Sequence, residues 1–159
     1  MLPPDFIKAA LDLVEANDGK PRQANLRRAI STAYYALFHA MAKCCADTLI
    51  GGAGSVKSKE AWLQTYRALQ HGAAKSACST AKIIGLFPQE IQDFANLFVT
   101  MQTKRHSADY NPHAPKLFKS AVLLDIQQVE TVIEGLKLAP VKDRRAFAAL
   151  VIFPPPRSA

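Results

Sequence analysis

Between Pro21 and the run Gly51-Gly52-Ala53-Gly54, apolar residues return at steps of three and four: Leu26, Ile30, Ala33, Leu37, Met41 and Cys44. Such steps keep side chains on one face of an α-helix and on no single face of a strand. The spacing predicts one long helix reaching about Leu49, and a stripe of that length needs other helices laid along it. The rest of the chain supplies them. Pro3 and Pro4 open a helix to about Ala16, stopped by Asn17-Asp18-Gly19. Ser58 can cap a third helix with Trp62, Tyr66, Leu69 and Ala73 on one face and Gly72 as its bending point. Pro88 starts a fourth, with Ile91, Phe94, Phe98 and Met101 inward, and Ser107 to Pro115 reads as a connection. A fifth runs from about Lys116 to Leu138 on the stripe Phe118, Val122, Ile126, Val129, Ile133 and Leu136. A short helix from Val141 to Val151 follows Pro140, and Pro154-Pro155-Pro156 ends regular structure. No segment of useful length alternates with period two. The expected fold is all-α, an up-and-down antiparallel bundle of four main helices plus short ones. It forms one domain over residues 1–153 with a Pro-rich flexible tail at 154–159.

A chain of 159 residues with 49% hydrophobic and 21% charged side chains can bury a core and does not read as disordered. Lys plus Arg exceed Asp plus Glu by 20 to 13, a formal charge of +7, which points to an anionic partner such as nucleic acid or a membrane surface. No apolar stretch reaches the roughly 18 residues that would cross a bilayer. The start of the chain lacks a basic segment followed by an apolar one. The expectation is a cytoplasmic protein with no membrane span. Cys44, Cys45 and Cys78 form no C-x-x-C pair and read as reduced, buried thiols. His39, His71, His106 and His113 show no metal-ligand spacing, so neither metal nor cofactor is expected. Gly51 to Lys57 lacks the spacing of a phosphate loop and follows a helix, so it reads as a plain loop.

Two groups of residues can carry chemistry. On the long helix, Arg28, Ser31 or Thr32, Tyr35 and His39 fall on one side at helical steps, a row able to hydrogen-bond a phosphate or a base. The alternative is a core edge whose Tyr35 and His39 satisfy one another. The second group is Lys104, Arg105, His106, Asp109, Tyr110 and His113, two cations, two imidazoles, a carboxylate and a phenol in one short stretch. Its structural alternative is that Lys104 and Arg105 complement a helix dipole while Asp109 makes a turn.

The run Arg28-Ala29-Ile30-Ser31-Thr32-Ala33-Tyr34-Tyr35-Ala36-Leu37-Phe38-His39-Ala40 resembles the second-helix signature Ala-Tyr-Tyr-Ala-x-Phe-His of small stand-alone HEPN-domain proteins. Arg105-His106-Ser107-Ala108-Asp109-Tyr110 is similar to the Arg-x-x-Ala-Asp-Tyr element of the same branch. The resemblance implies an up-and-down helical bundle, commonly dimeric. Many such proteins are metal-independent ribonucleases of toxin–antitoxin, abortive-infection and CRISPR systems, and others are non-catalytic binding modules. Active members use Arg-x(4–6)-His, the arginine steadying the phosphate and the histidine assisting attack by the ribose 2′-hydroxyl. Here His113 follows Arg105 after seven residues, His106 is adjacent to it, and only three residues separate Arg67 from His71. The resemblance makes Arg105, His113 and His39 the candidate catalytic residues. Arg28, Tyr35, Lys104, His106, Asp109 and Tyr110 are the candidate substrate-binding ones. The expected function is binding of RNA or a nucleotide by a module with a degenerate catalytic motif. Alternatives are an active metal-independent endoribonuclease toxin and a dimeric helical scaffold for a protein partner. The expected partners are RNA or nucleotide, a second copy of the chain, and a cognate antitoxin or nucleotidyltransferase.

Overall fold

The computed structural model describes residues 2–156. The described residues form eight helices and no strand: α1 (Pro3–Val14), α2 (Gln23–Leu49), α3 (Lys59–Ala68), α4 (His71–Cys78), α5 (Ala81–Ile84), α6 (Gln89–Tyr110), α7 (Lys119–Leu138) and α8 (Val141–Ile152). The protein is an all-α bundle. Its four bundle members in antiparallel order are α1, α2, α6 and α7, of which α2, α6 and α7 are the long ones, and α2 packs against α1, α3, α6, α7 and α8. Cross-contacts fix the directions. Phe6 of α1 stacks on His39 in the second half of α2, and Ser31 near the start of α2 bonds Asp109 near the end of α6. Lys104 late in α6 pairs with Asp125 early in α7. Consecutive long helices therefore run antiparallel.

Enclosure by five partners explains why α2 buries more than one stripe. Leu26, Ala29, Ile30, Ala33, Tyr34, Ala36, Leu37, Met41, Ala42 and Cys45 are all buried. The alanines and Cys45 among them let neighbouring helices approach closely from several directions. Cys44 of the expected stripe is half-buried, while Cys45 beneath it is fully enclosed. Burial pushes the Cys44 thiol up to about 11 and those of Cys45 and Cys78 up to about 12, so all three stay protonated near neutrality. From α6, Phe94 edges onto Phe147 of α8, and Phe98 packs 5.4 Å from the Tyr34 ring.

Four local expectations are corrected. The third helix is two helices: Leu69 turns extended (φ −65°, ψ 131°) to bury its side chain, and α4 restarts at His71 to pack on α6 and α8. Gly72 lies inside α4 beyond the break and is not its cause. The connection expected from Ser107 begins only at Asn111, where the following Pro112 disfavours the helical region and ends α6. Phe118 is no core residue. It precedes the first turn of α7 in extended backbone and is 66% exposed. The short α5 had no periodic signal in four residues. Residues 154–156 have no regular structure, and the remainder of the expected tail, 157–159, lies outside the described residues. Among the described residues no helix is long and apolar enough to cross a membrane.

Candidate functional site

The antiparallel contact of α2 with α6 brings the two sequence groups together. Because α6 continues to Tyr110, Arg105 and Asp109 stand one turn apart on one helix face, opposite Ser31, Tyr34 and Tyr35 of α2. The Arg105 guanidinium lies over the Tyr34 ring, 4.9 Å from its centroid, and 6.0 Å from that of Tyr35. Asp109 Oδ2 accepts from Ser31 Oγ at 3.2 Å and stands 3.7 Å from Arg105 Nη1, beyond a normal hydrogen bond. The Arg105 side chain is 12% exposed, and its Nε is buried with no hydrogen-bond partner among the described residues. Gln102 Oε1, one turn earlier, is unpaired in the same way. A buried donor and a buried acceptor left open near one cation are unusual in a settled structure.

The imidazole beside Arg105 is His71, at the first position of α4. Tyr34 Oη and His71 Nδ1 are 2.6 Å apart, and Phe38 stacks on the ring at 3.8 Å. Gln102 Nε2 donates to the His71 carbonyl at 3.3 Å. Burial raises the Tyr34 phenol and, with Arg105 and then His39 adding to it, lowers the His71 ring. The phenol is thus protonated and the imidazole neutral near pH 7. Arginine offers only donors, which favours the tautomer in which the Tyr34 O–H donates to Nδ1 and His71 carries its proton on Nε2. His71 is then a hydrogen-bond donor whose lone pair is already in use.

His39 lies one turn beyond Tyr35 and repeats this arrangement. Its Nδ1 pairs with the Tyr66 hydroxyl, its ring stacks on Phe6, and burial lowers its pKa. His39 borders the site and does not touch Arg105. Arg28 is exposed one turn before Ser31 on the same face. Thr32 bonds the Arg28 carbonyl within its own helix, so Ser31 is the hydroxyl that joins the cluster. Lys104 turns away and pairs with Asp125 of α7 at 2.8 Å. His106 and Tyr110 are exposed and lean together at 5.0 Å. His113 is exposed in the turn after α6, and its backbone N–H donates to Asn111 Oδ1. Of the expected site residues, Arg105, Asp109 and Tyr35 are assembled, while Lys104 and His113 stand apart. His71, Tyr34 and Gln102 were missed, because nothing local marks a histidine from another helix as their neighbour. Gln23 and Arg27 were also missed. They hold the connection after α6, Gln23 by paired bonds to Leu117 and Arg27 through the carbonyls of Asn111 and Ala114.

The two neutral histidines carry a pH consequence. The unfolded rings take up protons near pH 6.5, but the folded rings resist them. Stability should therefore be complete above about pH 6.5 and fall as the pH drops below it. Thermal midpoints measured from about pH 8 down to about pH 5.5 should decline, and His71→Gln, which keeps an acceptor for Tyr34, should flatten that decline.

The fold and site together define a class: a helical bundle with a nearly buried, under-bonded arginine held among tyrosines and a neutral histidine. Among the described residues no cluster of His, Cys, Asp or Glu is placed to hold a metal ion. No protein-family model, no curated protein and no solved structure matches the chain.

Proposed function

We propose that this protein is a HEPN-type module that binds RNA or a nucleotide through Arg105. One observation carries the reading: a guanidinium almost wholly inside the protein keeps Nε unpaired and its nearest carboxylate at 3.7 Å. A phosphate accepts two parallel N–H bonds from such a fork more readily than any group now near it. His71 Nε2–H and the Tyr35 hydroxyl supply neutral donors beside it, and Tyr35 offers a ring face to a base. The net charge of +7 favours a polyanion over a small neutral ligand. The homodimer and the cognate antitoxin or nucleotidyltransferase belong to the same proposal and come with the family resemblance alone.

A second reading, a metal-independent endoribonuclease, is favoured by the meeting of Arg105 and His71 in one site. Against it, in the tautomer that Arg105 favours, the lone pair that a general base needs is engaged by Tyr34. Labelled single-stranded RNA incubated with the pure protein in EDTA separates the two. The binding reading expects intact RNA and a complex whose affinity falls steeply between about 50 and 200 mM salt. Cleavage in EDTA that disappears in His71→Gln would establish the enzyme instead, and unbound RNA at low salt would overturn both.

A further inference from the structure

A second basic and aromatic feature lies at the far end of the same face. A cleft of about 410 Å³ is bordered by Lys43, Asp47, Lys57, Lys59, Trp62 and Leu63. Its wall carries the only tryptophan of the chain. Asp47 fixes that ring: Oδ1 accepts from the indole N–H at 2.9 Å, while Oδ2 neutralises Lys43 at 2.6 Å. Lys57 reaches the Gly52 carbonyl, and Lys59 has no hydrogen-bond or ion-pair partner among the described residues. Lys57 and Lys59 flank Ser58, the cap of α3, at the end of a helix where cations are disfavoured by the dipole. Glu60, bonded by Ser58 Oγ, is the single acid of that turn. Two lysines beside an indole held by Asp47 place positive charge next to a flat ring, a combination that suits an anion attached to a base.

A strip of rings joins this cleft to Arg105. Trp62 stacks on Tyr66 at 5.2 Å, Tyr66 lies 5.8 Å from His39, His39 lies 6.5 Å from Tyr35, and Tyr35 lies 6.0 Å from the Arg105 guanidinium. All four rings are half-buried. Phe6 covers a face of His39, and Trp62, with Tyr66 on one of its faces, lines the cleft. We propose that this cleft is a second subsite for single-stranded RNA, in which a base stacks on Trp62 and its phosphates meet Lys57 and Lys59. The inference rests on the RNA-binding reading and extends it from one phosphate to a strand lying along the α2–α3 face.

The sole tryptophan reports directly on its own subsite. An oligouridylate of about twelve nucleotides, labelled for anisotropy, is titrated into the full chain while Trp62 emission is followed. The expected result is quenching that tracks the anisotropy. The double variant Lys57→Gln/Lys59→Gln, which leaves the ring packing intact, should weaken binding roughly tenfold. Trp62→Ala should do the same, and Trp62→Phe should keep most of the affinity. RNA that binds without quenching, and equally well to the lysine double variant, overturns the subsite and leaves the Arg105 reading standing. Quenching that survives Arg105→Ala at full affinity supports the subsite and overturns the Arg105 reading. No anisotropy change overturns both.

Discussion

Replacing Arg105 by alanine should weaken the complex with single-stranded RNA roughly 10- to 100-fold at low salt, the worth of a paired charge-assisted hydrogen bond. The size follows from geometry. The guanidinium already lies largely desolvated over Tyr34 with its nearest carboxylate at 3.7 Å, so a phosphate reaching its exposed part meets a cation that has already lost much of its water. The fold should tolerate the change. Alanine removes a cation–π contact of about 1–2 kcal/mol, and it also removes the unpaired buried Nε, which offsets part of that loss. Arg105→Lys should recover little, because an ammonium reproduces the charge and not the planar fork. Anisotropy titrations beside thermal melts test this. Unchanged affinity in a folded Arg105→Ala protein would remove the central element of the proposed function.

Phe98→Ala should cost about 3–5 kcal/mol of folding free energy. That is a large share of the roughly 5–15 kcal/mol that holds a domain together. Phe98 is fully buried on α6 and packs against Tyr34, so its removal opens a void directly beneath the site. Rigid helix backbones close such a void only in part. The Tyr34 ring would lose its backing, and with it the fixed partner of both Arg105 and His71. Urea unfolding should show a lower midpoint with an unchanged slope. A loss below about 1 kcal/mol would mean that the α2–α6 interface repacks freely and does not hold the site rigid.

The helices were legible because each long one carries its own apolar stripe. Ile91, Phe94, Phe98 and Met101 of α6 and Val122, Ile126, Val129, Ile133 and Leu136 of α7 are buried as their spacing requires. The failures fall where a neighbour outweighs local preference. Leu69 leaves the helix to reach the core; Phe118 is left outside for a different reason, that α7 begins at Lys119 and not at about Lys116. Within the site, Arg105 and Asp109 could be singled out as members of one short polar cluster. His71 could not, since it comes from α4, and its link to Arg105 runs through Tyr34, which carries no charge to mark it.

What the order of residues determined on its own is whatever depends on a few neighbouring positions: helix faces, the proline and glycine stops, and the excess of positive charge. What only the tertiary structure decided is which polar groups meet. It set His71 in place of His113 beside Arg105, sent Lys104 to Asp125, and aligned Trp62 with the same strip of rings. The physical reason is that periodicity fixes the direction of a side chain about its own helix axis. The depth and rotation at which two helices lock is fixed by the packing of their whole interfaces.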